Sequence, residues 1–245
     1  MAAASSNDAP ETGAFFPRDR SWHPPAFTPR YKTTVLRSPQ RPLISFSNTL
    51  SEMTGPVFGQ NILHELDNDL IMNFAKPGES AQGPRIVVHG RVLDERRRPV
   101  PGVLIEFWQA NAAGRYHHKL DGHNAPIDPN FDGYGRTMTD DEGRYTFLTI
   151  KPGAYPWGNH YNAWRPAHIH FSLFGTGILS RLVTQMYFPG DPLMDEDPIF
   201  NSIPDEKARR RLISTLDWEL TNPEYALGYR FDIVLRGRDD TPMEG

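Results

Sequence analysis

Apolar and polar residues alternate along several short runs in the middle and C-terminal parts of the chain. An alternation of period two is typical of β-strands with one buried face, because successive side chains on a strand point to opposite faces. The runs predict strands at residues 85–93, 102–109, 144–150, 167–174, 181–188 and 229–236. Turns rich in Gly and Pro separate them, and the many short strands predict a mainly β fold, an antiparallel β-sandwich.

Two segments have the spacing of helices instead. Apolar residues recur every three or four positions at Leu212, Ile213, Leu216 and Leu220, which predicts a helix over residues 205–220. A second, shorter helix is predicted near residues 61–70.

The N-terminal segment differs from the rest of the chain. Residues 1–30 are polar and rich in proline, which predicts an extended or disordered arm. Residues 31–245 are then expected to form one domain, with an irregular start and a sandwich core at about 85–237.

Composition excludes several classes of function. The net charge is −4, so no basic excess supports binding to nucleic acid. The chain has no cysteine, which excludes disulfides, cysteine-based metal sites and a cysteine nucleophile. No apolar run reaches the roughly 18 residues of a membrane span, and the N-terminus lacks the pattern of a signal peptide. A cytoplasmic protein without a membrane partner is therefore expected.

A pair of histidines stands in one of the predicted strands. His168 and His170 share one face of the strand, whereas Ile169 and Phe171 share the other. The apolar pair buries easily, but buried imidazoles need partners for their ring nitrogens. Taken alone, the pair is compatible with a metal site or with a polar face.

Two tyrosines and an arginine stand in motifs near this pair. Tyr116 ends the motif Trp-Gln-Ala-Asn-Ala-Ala-Gly-Arg-Tyr at 108–116, and Tyr155 lies between prolines in Lys-Pro-Gly-Ala-Tyr-Pro-Trp at 151–157. Arg165 precedes the histidines in Arg-Pro-Ala-His-Ile-His-Phe. A loop tyrosine or a single arginine is usually a surface residue, so none of these residues decides the function alone.

Together, the three motifs resemble the signatures of the intradiol ring-cleaving dioxygenases. Further similar segments lie at 22–24, 31–33, 136–144, 184–188, 190–193 and 229–237, so the resemblance spans roughly residues 20–240. Within the family, the pattern is most similar to the β-type subunits that act on protocatechuate. The resemblance implies cleavage of protocatechuate (3,4-dihydroxybenzoate) by O2 to 3-carboxy-cis,cis-muconate, in the β-ketoadipate pathway of aromatic catabolism.

The resemblance also implies roles for individual residues. It implies one Fe(III) per chain, with Tyr116, Tyr155, His168 and His170 as its ligands. It implies catalytic roles for Arg165, Tyr155 and Gln185, and pocket walls at Tyr31, Trp157 and Ile199. In the family, the tyrosine that corresponds to Tyr155 leaves the iron when substrate binds.

The chemistry of ferric iron agrees with such a ligand set. Fe(III) is a hard acceptor that favours anionic oxygen, and a bound cation lowers the pKa of a phenol from its ordinary value of about 10. Two phenolates and one hydroxide balance the charge of the ion, which makes the centre tolerable in a pocket of low dielectric constant. Arg165 would place a permanent cation beside the charge that develops during the reaction.

The family resemblance also implies a partner. Its β-type subunits pair with a homologous, iron-free α subunit in a symmetric hetero-oligomer, and residues of the α subunit help to bind the substrate carboxylate. The acidic run at 191–197 would disfavour anionic substrates if it formed the rim of the pocket.

Two alternatives remain open at the level of sequence. One is an intradiol dioxygenase for another catechol, such as hydroxyquinol. The other is a metal-free binding or structural module, because residues 90–153 also resemble prealbumin-like sandwich modules that often lack catalysis.

Overall fold

The computed structural model describes residues 23–39, 62–175 and 181–243. The helices in this part of the chain are α1 (Lys32–Arg37) and α2 (Glu206–Arg210), with 3-10 turns at Pro192–Asp195 and Phe200–Ser202. The strands are β1 (Arg85–Leu93), β2 (Leu104–Trp108), β3 (Tyr134–Met138), β4 (Arg144–Ile150), β5 (Tyr155–Pro156), β6 (Trp164–Arg165), β7 (His168–Phe174), β8 (Leu182–Tyr187), β9 (Thr215–Asn222), β10 (Ala226–Arg230) and β11 (Ile233–Val234).

The long strands form two sheets, which confirms the predicted mainly β sandwich. One sheet is antiparallel with the order β3-β2-β7-β8. In the other, β1 pairs with β4 in antiparallel and with β10 and β11 in parallel, while β9 pairs with β10 at the edge. The parallel pairs depart from the expectation of a wholly antiparallel sandwich. The short strands β5 and β6 form a separate antiparallel ribbon.

The core lies between the two sheets. Phe107 of β2 stacks on Phe147 of β4 with ring centroids 3.8 Å apart, and Ile169 and Phe171 of β7 are completely buried in the same cluster. Burying a side chain of this size stabilises the fold by about 1.5–3 kcal/mol. The apolar face of β7 therefore faces the core, and its histidine face points to the opposite side of the sheet.

The helix predicted over 205–220 is wrong beyond residue 210. The Asp205 carboxylate caps α2 by accepting the N–H of Ala208, and the helix ends at Arg210. Residues 215–222 are strand β9, in which Leu216 pairs with Tyr229. The apolar residues of the predicted helix do not share one face: Leu216 packs on the main core, whereas Leu212 packs in a second cluster. The apolar spacing of this segment is compatible with a helix or with a strand, and pairing with β10 makes it a strand.

The helix predicted near 61–70 is also wrong. Residue 61 lies outside the described residues, and residues 65–68 form turns. The Asp67 and Asp69 carboxylates accept the backbone N–H groups of His64 and Ile71, respectively, and such local bonds compete with a helix.

The division into an arm at 1–30 and a domain at 31–245 stays a prediction, because residues 1–22 lie outside the described part.

Further differences from the sequence predictions concern strands. The sequence patterns did not predict β3, β5 or β6, and the strand predicted over 229–236 is divided into β10 and β11. In the described part of the chain, no helix has the length and apolar character needed to cross a membrane.

Candidate metal centre

The sheet β3-β2-β7-β8 carries two cross-strand sets of side chains, around His168 and around His170, on the face opposite the core. His170 lies opposite Trp108 of β2 on one side and opposite Gln185 of β8 on the other. His168 lies opposite Tyr187 of β8. Directly paired residues share a face of a sheet, so these side chains all project to the same side.

The two histidine rings are buried and their nitrogens converge. His168 is 2% exposed and His170 is 7% exposed, and their Nε2 atoms lie 3.2 Å apart. The Nδ1 atom of His168 lies 2.7 Å from the carbonyl oxygen of Pro166. The Nδ1–H donates to that oxygen, which leaves the lone pair of His168 on Nε2.

The ribbon of β5 and β6 adds the first tyrosine. Tyr155 pairs directly with Arg165, and its hydroxyl oxygen lies 3.3 Å from Nε2 of His168. The sequence predicted a loop between prolines at Tyr155. The pairing with β6 fixes Tyr155 and Arg165 on the same side as the histidines.

A tight turn adds the second tyrosine. The Asn111 side-chain oxygen accepts the N–H of Arg115, which closes the turn before Tyr116. Gly114 has a φ of +76°, and a Cβ atom there would lie 2.0 Å from the carbonyl oxygen of Ala154. A glycine is therefore required for the close approach of the two segments. The ring of Tyr116 meets the ring of Tyr155 edge-on, with centroids 5.4 Å apart.

This donor set fits a small metal ion. Two ligands at about 2.0–2.1 Å from one ion lie about 3 Å from each other, which is the spacing of the two Nε2 atoms and of the Tyr155 oxygen from His168. Among the described residues, no group of three or more His, Cys, Asp or Glu side chains is placed to hold a metal ion. The phenol oxygen of Tyr155 is an oxygen donor beside the two histidines. A set with phenol oxygens favours a hard, highly charged ion. The assignment of the four residues as ligands stays a prediction.

Burial shifts the pKa values of these donors. Burial holds the pKa of His168 well below its ordinary value, and the charges of Arg165 and His170 add to this effect. His168 is therefore neutral and offers its lone pair at neutral pH. Burial also raises the pKa of the Tyr155 phenol, against the opposing effects of Arg165 and Tyr116. A cation at the phenol oxygen would reverse that shift.

Arg165 lies beside the donors in a buried hydrogen-bond network. Its Nη1 atom lies 3.2 Å from Nε2 of His168. Its Nη2 atom lies 2.7 Å from the side-chain oxygen of Gln185, 2.9 Å from the Tyr187 hydroxyl and 2.9 Å from the Asp197 carboxylate. The structure thus brings together Arg165 and Gln185, for which the family resemblance implied a role.

Asp197 and Tyr187 belong to this network, although the sequence patterns assigned them no role. Asp197 is completely buried and pairs with Arg165, although its acidic run at 191–197 suggested a pocket rim. Asp191 is also used internally, because it accepts the N–H of Ala167. Tyr187 could have been found, because it stands two positions after Gln185 in a predicted strand and therefore shares its face.

The predicted pocket residues lie in two places. Tyr31 and Trp157 are in contact, with ring centroids 5.5 Å apart, and the Arg165 guanidinium lies over the Trp157 ring at 5.8 Å. Trp157 lines a cleft of about 740 Å³ together with Arg30, Lys32, Asn159, His160, Leu193 and Glu196, among others. Ile199 is buried and does not line this cleft; it lines a separate small cavity together with Gln185 and Tyr187.

Two family models match this chain. One, described as "Dioxygenase", matches residues 53–237. The other, described as "Protocatechuate 3,4-dioxygenase beta subunit N terminal", matches residues 16–49. The two matches together extend over most of the sequence.

Individual proteins show the same similarity. The chain is 62% identical over 228 residues to a protocatechuate 3,4-dioxygenase β chain of Burkholderia cepacia, covering 93% of this chain and 96% of that one. It is 32% identical over 177 residues to a protocatechuate 3,4-dioxygenase α chain of Pseudomonas putida, covering 71% and 82%. Among solved structures, 3-chlorocatechol 1,2-dioxygenase of Rhodococcus opacus is similar with a TM-score of 0.55 and 25% identity, covering 74% of this chain and 69% of that one.

Proposed function

We propose that this chain, which belongs to the intradiol ring-cleaving dioxygenase family, is the iron-holding β subunit of an enzyme that cleaves protocatechuate with O2. The product would be 3-carboxy-cis,cis-muconate. The observation that carries the proposal is the convergence of the Tyr155 oxygen and the Nε2 atoms of His168 and His170 beside a buried guanidinium.

The family depends on iron in general, and the donors of this chain fit a ferric ion. Tyr116, Tyr155, His168 and His170 would hold it, one ion per chain. When bound, ferric iron supplies a Lewis acid that takes the catechol as its dianion and makes the ring reactive towards O2.

The residues of this chain would then handle protons and charge. A catechol loses two protons on binding; the phenolate oxygen of Tyr155 would accept one of them, and the hydroxide that balances the ferric charge would take the other and leave as water. The Nη1 end of Arg165 faces the same point and would stabilise negative charge that develops on the substrate. Gln185 fixes the other end of the guanidinium.

The cleft beside Trp157 supports an anionic substrate. Arg30 and Lys32 line it, and among the described lining residues Glu196 is the one carboxylate. Asp191 and Asp197 have internal partners, and the exposed Asp195 is not among the described residues that line the cleft. We therefore propose that a carboxylated catechol is the preferred substrate. A pocket rim formed by the whole acidic run would instead have disfavoured such an anionic substrate.

The proposed assembly includes a second subunit. Relatives of this chain are named as α and β chains of protocatechuate 3,4-dioxygenase, and the α chain of Pseudomonas putida is itself similar in sequence to this chain. We propose that this chain pairs with a homologous, iron-free α chain in a symmetric hetero-oligomer.

Oxygen uptake with a panel of catechols tests the function. The chain is purified with and without a co-expressed α chain, its iron is measured, and protocatechuate, catechol and hydroxyquinol are compared by kcat/KM. The expected result is a red-brown protein with one iron per chain, for which protocatechuate has the highest kcat/KM in the presence of the α chain.

Other outcomes would contradict parts of the proposal. A preference for hydroxyquinol would be consistent with the proposed ferric centre but would contradict protocatechuate as the substrate. A colourless, correctly folded protein after ferric reconstitution would reject the enzyme and favour the metal-free binding module.

A further inference from the structure

A buried carboxylate lies directly behind the guanidinium of the proposed active site. Asp197 is completely buried and Arg165 is 3% exposed, and Nη2 of Arg165 lies 2.9 Å from Oδ2 of Asp197. A buried charge needs a partner, and this carboxylate is the counter-ion of Arg165 among the described residues.

The Asp197 carboxylate is itself held in place. Its Oδ1 atom accepts the backbone N–H of Ile199, and its own N–H donates to the carbonyl oxygen of Leu193. The Asn201 side chain donates to its carbonyl oxygen at 2.9 Å. The segment between the two 3-10 turns therefore presents a carboxylate with little freedom to rotate.

The two ends of the guanidinium have different surroundings. Three oxygens, from Gln185, Tyr187 and Asp197, lie within 2.9 Å of Nη2. Nη1 instead lies 3.2 Å from Nε2 of His168, on the side of the predicted metal ligands. The oxygens on Nη2 determine the plane of the guanidinium, and that plane directs Nη1 towards the donors.

We infer that Asp197 is a positioning residue, which fixes the Arg165 guanidinium so that its Nη1 atom faces the reaction centre. The inference rests on the proposed function for its catalytic meaning. Asp197 itself lies on the far side of the guanidinium and acts on the reaction only through Arg165. Tyr187 assists, because its hydroxyl contacts both Nη2 and the Asp197 carboxylate.

A crystal structure of the Asp197→Ala variant tests the position of the guanidinium directly. Without the carboxylate, Arg165 is expected to rotate so that Nη1 leaves hydrogen-bond distance of His168. A guanidinium in its original place would overturn the inference. This readout does not depend on turnover, so it also decides the inference if the wild-type complex proves inactive on every catechol, a result that would reject the proposed function alone.

Steady-state kinetics of the complex with its α chain test the catalytic consequence. With rates expressed per bound iron, Asp197→Ala is expected to lower kcat about 100-fold and to change KM less than about threefold, because a misplaced group acts on the transition state. Asp197→Asn keeps an oxygen that can accept a hydrogen bond from Nη2, so its kcat should be about tenfold higher than that of Asp197→Ala.

The double variant separates positioning from general damage. In an Arg165→Gln background, Asp197→Ala should lower kcat no further, because residues that act as a unit are not additive. If the two losses multiply instead, Asp197 acts independently of Arg165 and the inference is wrong.

Two more variants complete the design. Asp232→Asn is the matched control, because Asp232 is a partly buried carboxylate that pairs with Arg230 at 2.7 Å and contacts neither Arg165 nor the predicted metal ligands, and its kcat should equal that of the wild type. If Asp197→Ala does not fold, Tyr187→Phe removes one contact to Nη2 without leaving a buried charge. It should lower kcat about tenfold in the wild type and not at all in the Arg165→Gln background, and equal losses in both would overturn the inference.

Discussion

The imidazole of His170 stacks on the indole of Trp108, with ring centroids 4.7 Å apart and an angle of 3° between the planes. The two residues are direct partners across β2 and β7. A parallel stack of this kind fixes the plane of the imidazole and therefore the direction of its Nε2 atom. Groups that orient a metal ligand in this way contribute to metal affinity.

Replacing Trp108 by Leu should weaken iron binding. The His170 ring would lose the surface that fixes its plane, and we expect iron affinity to fall about 10–100-fold. Competition with a ferric chelator measures the effect. Trp218→Leu is the control, because Trp218 is 73% exposed on the edge strand β9. Equal iron retention in the two variants would contradict the orienting role of Trp108.

Replacing His168 by Ala should remove most of the iron. The substitution deletes the nitrogen that lies within 3.3 Å of both the Tyr155 oxygen and His170. Metal analysis of the purified protein measures the effect. His117→Ala is the matched control, because His117 is exposed and should not affect the iron content. Full iron occupancy in His168→Ala would show that the predicted ligand set is wrong.

Replacing Tyr155 by Phe should keep the iron but change its spectrum. One phenolate donor is lost, so the visible phenolate-to-iron charge-transfer band should shift, and turnover should slow because the proton acceptor is absent. Absorption spectra and oxygen uptake measure both effects. Tyr161→Phe, at a fully exposed tyrosine, should behave as wild type. Unchanged spectrum and rate in Tyr155→Phe would reject its assigned role.

The stability of the iron-free protein should fall as the pH falls below about 6.5. The pKa of His168 is held well below that of a free histidine, mainly by burial, so the unfolded chain takes up a proton that the folded chain does not. The loss is at most about 1.4 kcal/mol per pH unit from this group, and it vanishes above about pH 7.5.

Denaturant unfolding of the iron-free protein between pH 7.5 and 5.5 measures this slope. His168→Gln should show a shallower slope than the wild type, and substitution of the exposed His118 by Gln should leave the slope unchanged. A His168→Gln variant with the wild-type slope would contradict the prediction.

The local sequence determined where most of the strands lie. It also determined which residues are candidate metal ligands. The alternation along 85–93 and 144–150 depends only on which residues face the core, and the observed strands β1 and β4 have those bounds. The two histidines share a face because the side-chain period of a strand is two, wherever the strand lies. The family motifs supplied the candidate tyrosines and the arginine.

Only the tertiary structure decided which distant groups meet. The leucines at 212–220 have a spacing that suits a helix, and pairing with β10 makes most of that segment a strand. Asp197 stood in an acidic run that suggests solvent exposure, yet the fold buries it against Arg165, 32 residues away in sequence. The physical reason is that periodicity describes one element at a time, whereas strand pairing and buried charge pairs depend on contacts between elements. The sequence thus named most of the side chains of this centre, and the packing of β2, β5, β7 and β8 decided how they meet.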